Sequence, residues 1–381
     1  MVLNRVHEKS SQKGNAVLLS MTQQDQRSLQ AYGKILRRVL EVEGALKPSQ
    51  IKEVLRVYRD VAICDPRLFH FQIAARNIDE GIELSGEVSL RELKTGLVAL
   101  LQQSGIRSVQ DKIVVLPGPS MQGRTLALVS LPIVSLHRDP TLKSEQTSQL
   151  LIGDAVEILK RNRDYSLVQG PDGYIGWTNS KGIRSCDPEF FQKWISLTRA
   201  AFLEPIEQGE ITIPIGAELP LLERGKVLLP DDREFQVREK SYRPLRWLKQ
   251  PQRQAVVKMA KRFLGVPYLW GGKSIQGIDC SGLVQVAYRA AGIYVSRDAN
   301  QQFLAGRLVA TRSYRGDIVP GDLLFFCSVV GNISHTAISL GDHKYIHACD
   351  GGVVIYSLDP GDEDYNEARA QSFAYAKRLI Q

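Results

Sequence analysis

The sequence predicts an α+β protein of several domains: a helical and α+β N-terminal region, two small β-barrels and a C-terminal α+β domain. Three observations predict it. At 381 residues the chain exceeds a single module. Short strand patterns broken by turn signals recur from Leu131 to about Ser185, as in a small barrel. Residues 252–381 then combine apolar helices with alternating strands. With 43% hydrophobic and 24% charged residues, 17 Pro and 31 Gly, the composition excludes bulk disorder and fibrous repeats.

Residues 1–61 read as a tail followed by helices. Up to about residue 20 the chain is polar and unpatterned, and its apolar stretch Ala16–Met21 is too short to span a bilayer and lacks a small-residue cleavage site. No membrane span and a cytoplasmic location are therefore expected. Leu29, Tyr32, Ile35, Leu36, Val39 and Leu40, then Ile51, Val54, Leu55, Val57 and Tyr58, recur at helical spacing across a break at Lys47-Pro48, where Ser49 can cap. Two packed helices are predicted.

Residues 62–119 follow as a ββαβ unit. Phe69–Ala74 and Ile82–Val88 alternate, Leu90–Gln103 has helical spacing, and Val109–Leu116 is extended before Pro117-Gly118-Pro119. His70 sits in an alternating run and reads as a packed residue. The first barrel covers residues 130–188, with Leu150–Leu159 read as one run, then Tyr165–Val168, the turn Gly170–Gly173, and Tyr174–Trp177. Residues 195–246, with Ile211–Leu219, Val227–Pro230 and Glu234–Val237, read as a second, diverged copy, and Ser241–Pro251 as a linker.

The net charge of +8 is spread along the chain without a block of like charges, so no nucleic-acid arm is expected. Cys64, Cys186, Cys280, Cys327 and Cys349 are odd in number and widely spaced, with no zinc-type array. Free thiols, no metal and no cofactor are the expectation, and Cys327 and Cys349 read as packed thiols.

The chemistry concentrates in residues 252–381. Val256–Leu264 is helical up to Gly265-Val-Pro267, and Tyr268–Gly272 is turn-rich. Asp279 is an N-cap candidate for an apolar helix from Cys280 to Ala291, closed by Gly292. Cys280 thus falls in a first helical turn, where the partial positive charge favours the thiolate over a thiol of ordinary pKa about 8.5. Ile333–Leu340 and Lys344–Cys349 alternate as strands. A three-residue loop Gly341–His343 would pair Leu340 with Lys344, set His347 opposite Ala337, and bring it onto the face of His335. A two- or four-residue loop would put the two rings on opposite faces. Nucleophile, base and orienting ring in this order form the arrangement of acyl-transferring cysteine enzymes.

Pro267-Tyr-Leu-Trp-Gly-Gly, Asp279-Cys-Ser-Gly-Leu-Val-Gln, Pro320-Gly-Asp-Leu-Leu-Phe-Phe, Ser334-His-Thr-Ala-Ile and Ile346-His-Ala together resemble the NlpC/p60 cysteine peptidases over about residues 255–380. The resemblance implies a papain-like α+β domain that cleaves peptidoglycan stem peptides between γ-D-Glu and the diamino acid. By position it makes Cys280 the nucleophile, His335 the general base and His347 the orienting residue, and has Tyr268 form the oxyanion hole with the Cys280 N–H. Asp279 and Ser281 would help hold D-Glu. Val295-Ser-Arg-Asp298-Ala-Asn-Gln-Gln is similar to the family's PRxxxxQ loop, in the version whose Asp298 reads a free N-terminal amine. The two barrels resemble bacterial SH3-like domains, a combination similar to the recycling subgroup, in which the first barrel walls the cleft. Glu145 and Tyr174 would supply its acidic residue and tyrosine. The ββαβ unit resembles BON-like domains.

The implied partners are murein stem peptides such as L-Ala-γ-D-Glu-diamino acid. Two other readings stay open: a lytic D,L-endopeptidase acting on intact wall, and a non-catalytic wall-peptide-binding scaffold. Ser296 in place of proline, Thr336-Ala337 after the base and Cys349 in place of a small polar residue depart from the family pattern.

Overall fold

The computed structural model describes residues 48–79, 81–106, 108–245 and 252–381. The tail, the first expected helix around Leu29–Leu40 and residues 246–251 of the linker lie outside them. The chain divides into two compact units, the first ending at Thr125 and including Ile158–Arg161, the second holding the rest.

In the first unit, α1 (Pro48–Ala62) begins on a proline, whose missing N–H costs nothing in a first turn. It buries Ile51, Val54 and Tyr58, one helical stripe. The strands β1 (Phe71–Ile78) and β2 (Gly81–Val88) pair antiparallel. Helix α2 (Arg91–Gln103) crosses over to β3 (Val109–Val115), which runs parallel to β2. The ββαβ order is present, with Leu84 and Val88 of β2 packed among Leu97, Leu100 and Leu101 of α2. His70 packs just before β1, its Nε2 3.5 Å from Glu87.

From Leu126 follow β4 (Leu126–Val129), β5 (Ile133–His137), β6 (Gln146–Leu151), β7 (Ala155–Asn162, whose stretch Ile158–Arg161 counts with the first unit), β8 (Tyr165–Gln169), β9 (Ile175–Asn179) and β10 (Ile183–Ser185). They form a seven-stranded sheet in the order β10-β4-β7-β8-β9-β5-β6. Leu150–Leu159 is divided between β6 and β7 by a turn at Gly153, whose φ of 86° favours glycine, and whose absent Cβ would lie 2.5 Å from Glu218 O. Asp154 Oδ2 closes the turn by accepting from Leu151 N–H at 2.9 Å.

Helix α3 (Pro188–Ser196), capped by Asp187, buries Phe191 and Trp194. Beyond it come β11 (Arg199–Phe202), β12 (Ile206–Gln208), β13 (Ile211–Ile213), β14 (Glu218–Pro220), β15 (Lys226–Leu228), β16 (Glu234–Gln236) and β17 (Tyr242–Pro244), in three small sheets. This region does not repeat the continuous ladder of the first barrel. Pro214, Pro220, Pro230 and Pro244 each lack a backbone donor, which keeps the strands short.

The C-terminal part holds α4 (Arg253–Lys261), the small hairpin β18 (Lys273–Ser274) and β19 (Gly277–Ile278), α5 (Cys280–Arg289) and α6 (Ala299–Gln302). They are followed by β20 (Arg307–Thr311), β21 (Leu323–Cys327), β22 (Ile333–Gly341), β23 (Lys344–Cys349), β24 (Gly352–Ser357), α7 (Glu367–Ser372) and β25 (Phe373–Arg378). The sheet is antiparallel, in the order β20-β25-β21-β22-β23-β24. One core joins α4 and α5 to Leu323, Phe325, Ile338 and Ile346 of the sheet. A second, around Leu324, Phe326, Ala337, Tyr345 and Phe373, includes Ala370 of α7. No described helix is long and apolar enough to cross a membrane.

Candidate active site

Helix α5 begins where the sequence predicts. The Asp279 side chain accepts from Gly282 N–H at 2.7 Å, which caps the helix and fixes Cys280 in its first turn. Gly282 allows the segment before it to come close, since a Cβ there would lie 2.2 Å from Gly272 O. The Cys280 sulfur receives the backbone N–H groups of Thr336 and Ser281, so it rests against β22 beside His335.

The strand pair that carries the histidines departs from expectation in its loop. Gly341 pairs with Lys344, so the turn is the two residues Asp342 and His343, both with positive φ, as a tight hairpin turn requires. A two-residue turn alone would have separated the rings. A bulge between Ser339 and Gly341 adds one residue to β22 and restores the pairings Ser339–Tyr345 and Ile338–Ile346. His335 and His347 therefore share a face, with His335 Nε2 2.8 Å from His347 Nδ1 and the rings perpendicular at 86°. His335 Nδ1 takes no part in that contact.

Burial sets the charges here. It lowers His335 well below the usual histidine value, helped by His347 and Arg369, and pushes His347 down to about 3, again with Arg369. It also pushes the Cys280 thiol up to about 12, and the neighbouring Asp279 carboxylate adds to the rise. The N–H groups of Thr336 and Ser281 and the Arg297 charge oppose it without winning. Burial therefore opposes the thiolate that the start of the helix favours, and it favours the neutral forms of both thiol and imidazole. Cys280 keeps intermediate exposure, so a reactant can reach it.

Tyr268 is half-buried and bridged to Ile278; burial raises its pKa, and the nearby Asp279 carboxylate adds to the rise. Asp279 and Ser281 are 6% and 5% exposed and are engaged inside the protein. Asp279 faces Arg297 through two contacts of 3.0 and 2.5 Å and accepts from Gly271 N–H at 2.9 Å. Ser281 Oγ lies 2.8 Å from Arg297 Nη1. Arg297, 1% exposed, also reaches Ser148 Oγ of β6 at 2.9 Å, tying the neighbours of Cys280 to the barrel. Sequence reasoning passed over Arg297, although it stands in the quoted PRxxxxQ-like loop beside Asp298.

Asp298 begins α6 and forms a capping box with Gln301, its N–H donating to Gln301 Oε1 at 3.1 Å. Glu145, just before β6, accepts from Trp270 Nε1–H at 2.9 Å and pairs with Arg138. Tyr174 is 4% exposed, and its carbonyl closes the turn from Gly170 at 2.9 Å. Further contacts hold the barrel to the catalytic part: Lys273 N–H to Gln149 Oε1 at 2.8 Å, Gln285 Nε2 to Asp172 at 3.1 Å, and Arg289 to Asp154 at 2.6 Å. The barrel thus stands beside the start of α5.

Residues 265–370 match the NlpC/P60 family, and residues 136–183 match a bacterial dipeptidyl-peptidase SH3 domain. A γ-D-glutamyl-L-lysine dipeptidyl-peptidase of Bacillus cereus is 30% identical over 251 residues, 58% of this chain and 74% of that protein. Dipeptidyl-peptidase 6 of Lysinibacillus sphaericus is 28% identical, over 61% of this chain and 92% of its own length. The crystal structure of a NlpC/P60 family protein from Bacillus cereus ATCC 10987 covers 68% of this chain and 100% of its own, with a TM-score of 0.58 at 23% identity, and shares the fold. Since the matched stretch runs through Cys280, His335 and His347, and the similarity to the Bacillus cereus peptidase spans three quarters of that protein, the chain belongs to the NlpC/P60 family and is a cysteine peptidase.

Proposed function

We propose that this protein hydrolyses the bond between γ-D-Glu and the diamino acid of peptidoglycan stem peptides, and that it prefers short fragments with a free N-terminal L-Ala. The observation that carries the reading is the Cys280 sulfur on the Thr336 N–H, beside a His335–His347 contact of 2.8 Å. The γ-glutamyl specificity rests on the names of the relatives.

In this mechanism His335 Nδ1 takes the thiol proton as the sulfur attacks the γ-glutamyl carbonyl. Because burial favours the neutral forms of thiol and imidazole, proton transfer accompanies attack. The Tyr268 hydroxyl and the Cys280 N–H receive the oxyanion, and one such donor contributes about 2.7 to 4 kcal/mol. The tetrahedral intermediate collapses with cleavage of the C–N bond, and His335 gives the proton to the departing amine. Water, deprotonated by His335, then hydrolyses the thioester and releases L-Ala-D-Glu and free Cys280. His347 orients His335 throughout.

Asp298 supplies the carboxylate for the substrate's ammonium, with Glu145 and Tyr174 on the barrel side and Asp279 and Ser281 toward D-Glu. A barrel packed beside the nucleophile supports a cleft sized for fragments rather than polymer, and we assign the enzyme to recycling of trimmed wall peptides in the cytoplasm. Five free cysteines fit a reducing compartment. On element order alone, the ββαβ unit is read as BON-like and the β11–β17 region as a diverged second barrel.

The test is mass spectrometry of L-Ala-γ-D-Glu-diamino acid tripeptides, in meso-diaminopimelate and lysine forms, with free and N-acetylated amino ends. Wild type should release L-Ala-D-Glu from the free peptides, and Cys280→Ala should release none. Equal cleavage of acetylated peptide, with clearing of intact sacculi, would move the enzyme to the lytic class. No cleavage of any would leave the scaffold reading.

A further inference from the structure

Each ring of the His335–His347 pair commits one nitrogen to the other ring. For His335 to accept the thiol proton at Nδ1, its own hydrogen must sit at Nε2 and point to His347 Nδ1. His347 must then carry its hydrogen at Nε2. That atom is fully buried and meets no protein acceptor among the described residues. If the hydrogen moved to Nδ1 of His347, it would donate to His335 Nε2 and drive the His335 hydrogen onto Nδ1, where the thiol proton has to go. Whatever receives the His347 Nε2–H therefore decides whether the base is in its working form.

Tyr345 stands two residues before His347 on β23 and so projects from the same face. The two rings lie 5.2 Å apart, tilted by 53°. The Tyr345 hydroxyl is buried and, like His347 Nε2, meets no protein partner among the described residues. Two orphaned polar atoms on neighbouring buried rings are costly apart and complementary together. Of the side chains around the pair, Phe326 of β21 is apolar and 5.4 Å from the Tyr345 ring, and Arg369 of α7 can only donate. Tyr356 of β24, 4.9 Å from His347 ring to ring, is only half-buried. Cys349 continues the same face and is a weak acceptor.

We infer that Tyr345 is a positioning residue of the peptidase: its hydroxyl, through one bridging water, takes the His347 Nε2–H and holds His335 in the tautomer that can accept the Cys280 proton. The inference rests on the Cys280–His335–His347 reading above. It goes beyond that reading because the triad chemistry does not require a tyrosine here.

The experiment follows the rate of Cys280 alkylation by iodoacetamide together with tripeptide hydrolysis, in the full chain. Tyr345→Phe keeps ring and packing, and should slow both about tenfold, the range for one unmet buried hydrogen bond. Tyr356→Phe should change either less than twofold. In a His347→Asn background the amide oxygen accepts from His335 Nε2–H with no tautomer to choose, so adding Tyr345→Phe should there change the rate less than twofold. In 15N-histidine-labelled wild type, His347 should be protonated at Nε2, and Tyr345→Phe should mix the tautomers. An unchanged rate in Tyr345→Phe, the same loss in both backgrounds, or wild-type His347 protonated at Nδ1 would each overturn the inference. Intact alkylation behaviour with no tripeptide cleavage would sink the substrate assignment while supporting Tyr345. Alkylation indifferent to His335→Ala would sink the triad reading and this inference with it.

Discussion

His335 Nε2 and His347 Nδ1 meet at 2.8 Å across β22 and β23, and the meeting depends on one extra residue in β22. Gly341 and Lys344 close a two-residue turn, and the bulge before Gly341 offsets it. Both rings are buried, which favours their neutral forms, while Cys280 keeps intermediate exposure. The consequences that follow are open to measurement.

Acid should weaken the fold through these rings. His335 and His347 bind protons less readily folded than unfolded, so below the unfolded value of about 6.5 the unfolded chain takes up protons first, and stability falls as pH falls. For His347 the loss continues toward about 3. Each ring contributes up to about 1.4 kcal/mol per pH unit. Urea midpoints between pH 7.5 and 5 should slope less in His347→Asn than in wild type, with the lowered pKa of His70 common to both. Equal slopes would mean that His347 is not held neutral.

Arg297 should matter more than any surface charge. Removing it leaves Asp279 buried without its main partner, which costs about 3 to 5 kcal/mol. Arg297→Met should show that loss in urea unfolding and slow Cys280 alkylation. Arg297→Lys keeps the charge but not the two-pronged contact, and should recover only part. Full recovery by lysine would show that charge alone suffices.

Gly282→Ala places a methyl 2.2 Å from Gly272 O, so backbone must move. Overpacking of this kind costs about 1 to 3 kcal/mol, and here it shifts the first turn of α5, so hydrolysis should fall at least tenfold. Gly351→Ala, with nothing within 4 Å, is the control and should stay within about 0.5 kcal/mol in thermal melts. Equal effects would remove the close-approach argument.

Asp298→Asn separates capping from recognition. Asparagine caps helices about as well as aspartate, so stability should hold. If the carboxylate binds the substrate's ammonium, the preference for free over acetylated tripeptide should drop about tenfold or more, as for a lost charge-assisted hydrogen bond. A retained preference in kcat/KM would leave Asp298 as a cap alone.

Much of this was legible in the sequence because it is local. Asp279 before an apolar run announces a capped helix, and Gly292 its end, so the position of Cys280 in a first turn needs no tertiary information. Alternation around His335 and His347 marks two strands, and the ββαβ order of the first unit follows from period alone. Arg297 was harder to find. Its neighbours in sequence say nothing of Ser148, 149 residues away, or of the buried carboxylate it serves.

The sequence by itself determined the family, most elements of the first unit and of the C-terminal part, and the candidates for the reacting groups, since periodicity, capping and motif spacing are properties of neighbouring residues. Only the tertiary structure decided the bulge that keeps the two histidines on one face, the burial that disfavours their charged forms, the Arg297 link to the barrel and the isolation of the Tyr345 hydroxyl among the described residues. Register here depends on a bulge that hydrophobic alternation does not report. Protonation depends on how much water the folded chain excludes, a quantity summed over residues from every part of the domain.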